Sequence, residues 1–160
     1  MREQAEAERA ARRALELNPN FALAHARLTH FLAGHGAGQE AIEYAERALR
    51  LNPVDRHVGT YATMAMAASH LADGSMSEAS GWARKTIENS PEWPAGHAWL
   101  TAALAMAGAL NEAAAAREAF LRIRPQFSLA WAWADRNFPM MGAQRDNLIE
   151  GPHRAGMPAQ

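Results

Sequence analysis

The chain has 160 residues, enough to bury one core and too few to suggest two independent domains. Lys and Arg number 16 against 17 Asp and Glu, a formal net charge of -1, so no overall field draws in phosphate backbones or anionic lipid, and nucleic acid is not an expected partner. The absence of cysteine removes disulfides, thiolate nucleophiles and thiolate zinc sites, while heavy use of Ala and scarcity of β-branched residues favour helices.

The opening "MREQAEAERAARR" is charged throughout and lacks the apolar core of a secretion signal. It begins a helical stretch, Arg2 to Leu17, that stops at Asn18-Pro19. A second stretch runs from Phe21 to Ala33, and the glycines of Gly34 to Gly38 separate it from a third, Gln39 to Leu51, which ends at Asn52-Pro53. In this third stretch Ala41, Ile42, Ala45, Ala48 and Leu49 form one apolar face, and opposite them Glu43 and Arg47, like Glu46 and Arg50, stand four apart with the acid first. Helical patterns then run from about His57 to Ala72, from beyond Gly74 to Pro91, from Pro94 to Ala107, from beyond Gly108 to Pro125, and from Phe127 to Arg136. The longest nearly apolar run, Ala98 to Leu110, falls short of the roughly 20 residues that cross a bilayer, so no membrane partner is expected and the cytoplasm is the default compartment.

The prolines recur at 19, 53, 91 and 125, intervals of 34, 38 and 34 residues. Twelve residues before each stands an alanine, Ala7, Ala41, Ala79 and Ala113; five before stand Ala14, Ala48, Thr86 and Phe120. A period in this range marks stacked supersecondary units, and a small residue at a fixed place lets two helices come close. The predicted unit is helix, short turn, helix, proline. The four extra residues of the third unit fall in "NPVDRHVGTY", which predicts a longer linker between units and a local change in stacking angle.

Hairpins of 34 residues with this alanine register and terminal proline resemble tetratricopeptide repeats, over Arg2 to about Arg136. In that family the seventh position of the first helix is large and apolar, matched by Leu28, Met66 and Leu100; the eighth is Thr29, Ala67 and Thr101, and the eleventh Leu32, His70 and Leu104. The expected fold is an all-α α-solenoid of about 3.5 to 4 hairpins over residues 1–137, followed by a C-terminal capping segment and tail over 138–160. The chain begins at the second helix of its first unit, and a half-unit there suggests either an unusual cap or a cut from a longer protein, with the cut favoured. The tail "RNFPMMGAQRDNLIEGPHRAGMPAQ" is similar to the endings of tetratricopeptide regions attached to bacterial class III adenylate or guanylate cyclases, where an "FP" pair precedes a short helix closing in a "GLRKAGLP"-like phrase. Here Phe138-Pro139 and Gly151 to Pro158 match it, and Pro152 departs from it, predicting a kink in a helix from about Ala143.

No constellation for chemistry emerges. His25, His30 and His35 are five apart, a spacing that scatters side chains around a helix, whereas metal pairs want three or four, so no metal or cofactor is expected. The glycines of "AGHGAGQE" lack the preceding strand and the following Lys-Ser or Lys-Thr of a phosphate cradle. The glutamates interleave with arginine on outward faces. Of the five tryptophans, Trp82, Trp93, Trp99, Trp131 and Trp133, the general expectation is packing between hairpins, with Trp131 or Trp133 as a possible partner anchor.

The resemblance implies a non-catalytic scaffold that binds a protein or peptide on a concave surface made by the first helices. By the family's geometry the lining is drawn from positions two, five, nine and twelve: Leu23, Ala26, His30 and Ala33; Tyr61, Met64, Ala68 and Leu71; Ala95, Ala98, Ala102 and Ala105. It is small and apolar, without the Lys or Arg clamp that some relatives use for a terminal carboxylate. The alternative is a structural spacer at the C-terminal end of a larger signalling enzyme such as a cyclase.

Overall fold

The computed structural model describes residues 2–127, 151 and 153–156. Among them are seven helices and no strand: α1 Arg2–Leu17, α2 Ala22–Gly34, α3 Gly38–Leu51, α4 Arg56–Asp73, α5 Met76–Asn89, α6 Pro94–Met106 and α7 Leu110–Ile123. Successive helices pack on each other as antiparallel pairs, and α2, α4 and α6 also lie side by side. The architecture is the all-α hairpin stack that the period predicts. The expected helix from Phe127 to Arg136, the capping segment from 138 onward, the helix from about Ala143 with its kink at Pro152, and Trp131 and Trp133 lie outside the described residues, apart from Phe127, Gly151 and 153–156.

Both kinds of turn repeat. Each hairpin turns on a glycine with positive φ, 81° at Gly36, 86° at Gly74 and 81° at Gly108. The next amide reaches back five residues to a carbonyl, Ala37 to Leu32, Ser75 to His70 and Ala109 to Leu104, each at 2.9 Å. This is the bond pattern that closes a helix with a left-handed residue, where a Cβ would be strained. Between hairpins, four residues carrying the proline form a tight turn closed by an amide three residues on, as in Phe21 to Asn18 at 3.1 Å and Trp93 to Ser90 at 3.0 Å.

The extra residues of the long unit do not lengthen the linker. The turn between α3 and α4 holds four residues, like those before α2 and α6, and the surplus appears as an added helical turn, making α4 18 residues long against 13 for α2 and α6. Asp55 is the reason: its carboxylate accepts from the amides of His57 at 2.8 Å and Val58 at 3.1 Å, capping a helix that starts early. Arg56 then donates from Nε to the carbonyl of Asn89 at 2.9 Å, tying the added turn to the end of α5.

The alanine register is the contact layer. Ala41, Ala79 and Ala113 are buried, as are Ala45, Ala48 and Ala83. Where the second register departs from alanine, the structure compensates. Thr86 is wholly buried, and its hydroxyl donates to Thr63 Oγ1 at 2.9 Å while Thr63 donates to the carbonyl of Gly59 at 2.7 Å. Phe120 packs edge-on against Phe127 with ring centroids 4.7 Å apart. Of the expected helix-surface pairs, Glu46 meets Arg50 at 3.4 Å, whereas Arg47 donates across the hairpin to Asn20 Oδ1 at 3.3 Å.

Overfilling this layer should be costly. Ala83→Leu is expected to lower stability by about 1–3 kcal/mol, more than Asp55→Ala, which removes one cap worth about 1 kcal/mol. Thermal unfolding followed by circular dichroism orders the two; an Ala83→Leu protein as stable as the parent would show that the helices are not in close contact there.

Candidate interaction surface

The twelve positions expected to line the first helices do not share one environment. Leu23, His30, Tyr61 and Ala95 are half-buried and retain accessible surface. Ala26, Leu71 and Ala102 have none at all, and Met64, Ala33, Ala68, Ala98 and Ala105 are buried. The cause is side-chain size and crowding: an alanine on a closely packed helix lies below the level of its neighbours, and Leu71 and Met64 belong to the main core cluster. In this arrangement a partner could touch the four half-buried residues directly, while the others shape the floor beneath.

Ala98 and Ala102 are covered by the chain's own later residues. Ala98 packs with Phe120, and Phe127 closes over that pair. Gly151 lies so near α6 that a Cβ there would come within 2.6 Å of the Ala102 Cα. Arg117 on α7 donates from Nη1 to the carbonyls of Ala155 at 2.7 Å and Gly156 at 3.2 Å, so its charge meets the last carbonyls of a helical turn. The end of the tail phrase thus sits on the third hairpin.

Around Tyr61 the structure assembles a cluster that position-counting did not include. Arg27 on α2 lies over the Tyr61 ring, with Cζ 4.9 Å from its centroid, and donates from Nη1 to the phenol oxygen at 2.7 Å. Trp93, the residue just before α6, approaches the same ring edge-on with centroids 6.1 Å apart, and is 41% exposed. The other described tryptophans differ: Trp99 is buried, and half-buried Trp82 carries Lys85 Nζ over its ring at 4.0 Å. A signal was present, since Trp93 stands two residues after the turn proline Pro91 and so falls at a hairpin edge.

Two histidines do structural work that spacing could have disclosed. His25 and His97 each stand six residues after a turn proline, and each donates from Nε2 to that proline's carbonyl at 2.8 Å. The carbonyl accepts only, so the proton is on Nε2, and each ring pins a proline turn to the helix that follows. His30 is different. Burial, and secondarily the charge of Arg27, hold its imidazole below the ordinary histidine value. Among the described residues no three His, Cys, Asp or Glu side chains converge in a way that could hold a metal ion, and no described helix is long and apolar enough to cross a membrane.

A stack of antiparallel helical hairpins with a glycine turn inside each unit and a proline turn between units is a tetratricopeptide-like helical-repeat fold. No protein-family model matches the sequence, and no curated protein matches it. Among solved structures, a crystal structure of MamA, a tetratricopeptide-repeat solenoid, is similar at 18% identity and a TM-score of 0.64, covering 92% of this chain and 84% of that one. The MamA RS-1 ArsTM double mutant is similar at 14% identity and 0.64, covering 96% and 83%. A further crystal structure of MamA protein, at 17% and 0.64, covers 96% and 81%. These likenesses establish the fold.

The lowered pKa of His30 has a stability consequence with a fixed sign. In the unfolded chain the imidazole takes a proton below about pH 6.5, whereas in the folded chain it resists protonation to a lower pH. Its contribution is therefore fully present above that value and is lost as pH falls below it. Urea midpoints measured on both sides of that value should fall less on acidification in His30→Gln than in the parent; equal falls would mean that His30 is not held neutral by the fold.

Proposed function

We propose that the chain is a non-catalytic protein-interaction scaffold that binds a peptide segment along α2, α4 and α6. The observation that carries this reading is the continuity of that face: three helices from successive hairpins lie side by side, carry few charges, and keep Leu23, His30, Tyr61 and Ala95 accessible. A solenoid offers such a face as an extended platform, and recognition rather than bond chemistry is what a row of small apolar and aromatic groups can supply. The partner is a protein or peptide; neither a cofactor nor a nucleic acid enters this reading. The repeat domain at 1–137 and the segment from 138 are kept as its two working parts, with Leu23, His30 and Tyr61 as contact surface and Ala26, Met64 and Leu71 as floor, while Ala98 and Ala102 lie under the chain's own later residues.

Amide-shift mapping of the labelled protein with a peptide selected for binding tests it. Shifts are expected on α2, α4 and α6, and Tyr61→Ser or Leu23→Asn should weaken binding. Shifts confined to α1, α3, α5 and α7, with both variants binding as the parent does, would move the site to the opposite face.

A second reading, the regulatory C-terminal segment of a larger signalling enzyme such as a class III cyclase, is favoured by one feature. The end of the cyclase-like phrase, Gly151 and 153–156, sits against α6 and α7 as a built-in terminus. It predicts a catalytic domain encoded upstream in the same reading frame; an in-frame stop codon just ahead of Met1 would remove it.

A further inference from the structure

We infer that the Arg27, Tyr61 and Trp93 cluster is a docking site for a protein segment carrying a carboxylate beside an aromatic or aliphatic side chain. This rests on the peptide-binding reading and names the partner's chemistry. Each member comes from a different hairpin, so the site exists only when the units are stacked. The hydrogen bond from Arg27 to Tyr61 and the edge-on contact of Tyr61 with Trp93 hold all three side chains in place before a partner arrives, which reduces the ordering cost of binding. Arg, Tyr and Trp are also the residue types over-represented where a few side chains dominate an interface. Trp93 is an exposed large apolar group, and its indole meets Tyr61 edge-on.

The charge pattern specifies the rest. On α2, α4 and α6 the charged residues are Arg27, Arg56 and Asp73, and Asp73 closes α4 beside His70 at 3.7 Å. Glutamates stand instead on α1, α3, α5 and α7, where Arg12, Arg50 and Arg84 are each paired with one, and exposed Glu92 lies in the turn beside Trp93. Among the described residues Arg27 has no carboxylate within ion-pair distance, and its charge disfavours the cationic form of His30. A guanidinium has five N–H donors, and one is used on Tyr61, so a planar pair of donors remains for a carboxylate. The indole and phenol rings next to it take the apolar neighbour.

The test uses the full chain on an array of short capped peptides of matched length: acidic with aromatic, basic with aromatic, acidic without aromatic, and aromatic without charge. The acidic-aromatic class should be retained best, and Arg27→Gln and Trp93→Ala should each weaken it about tenfold, with Tyr61→Phe, which removes the hydrogen bond alone, weakening it less. Circular dichroism confirms that these surface variants fold. Equal retention of charged and uncharged aromatic peptides, unchanged in Arg27→Gln, would overturn the inference while leaving peptide binding intact. Retention of no class by the parent protein would overturn the peptide-binding reading and this inference with it.

Discussion

How closely neighbouring helices approach decides everything else in this molecule. Interaxial distances of roughly 8 Å need side chains no larger than alanine at the crossing, and Ala41, Ala45, Ala48, Ala79, Ala83 and Ala113 supply them. Each alanine buries little area by itself. Close approach brings many atoms into van der Waals contact, and it lets larger groups such as Leu28 and Leu71 fill the space between layers. The same closeness accounts for Gly59 and Gly96: a Cβ on Gly96 would come within 3.0 Å of the Ile87 side chain and 3.2 Å of the Thr86 side chain, so these side chains of α5 lie directly against the backbone of α6.

Close packing fixes the turns, and the turns in turn fix which helices face the same way. A hairpin whose helices touch through alanine leaves no room for a loose connection, so each closes on a left-handed glycine and a return bond to a carbonyl five residues back. The proline turns are held from outside by His25 and His97, which bring the following first helix back over the preceding unit. In the middle unit Thr63 stands in the equivalent place and serves the Thr86 hydroxyl instead, so one position does two different jobs along the stack. The first helices consequently come out side by side, and side chains from three units can meet at Tyr61.

The fold was legible because its signals are local and periodic: prolines, glycines and alanines at fixed intervals state where helices stop and where they touch. The length of α4 was not, because four surplus residues can enter a loop or extend a helix with equal ease until a cap decides, and the deciding interaction is the short reach of Asp55 to two amides. The accessible surface was only partly legible. Counting positions identifies a direction around a helix, but exposure depends on how far a side chain extends past its neighbours. Direction alone therefore grouped Tyr61 with Ala26 and Ala102, although the latter two have no exposed surface. Arg27 and Trp93 fall outside any fixed register, and their meeting with Tyr61 depends on the relative placement of three helices, which no single stretch of sequence records.

Register also explains why the stack changes character at its end. Four residues after each of Ala7, Ala41, Ala79 and Ala113 the chain places Ala11, Ala45, Ala83 and then Arg117. In the first three units this position is a small buried contact. An arginine there cannot be packed as alanine is, because its guanidinium needs acceptors wherever it is withdrawn from water. It finds them in the carbonyls of Ala155 and Gly156, the groups a helix end leaves without partners. Gly151 completes the fit, since any side chain would collide with the backbone of Ala102. One substitution in the repeating pattern thus converts a surface suited to another close-packed helix into one that recognises the end of a helix, and the covering of Ala102 follows from it.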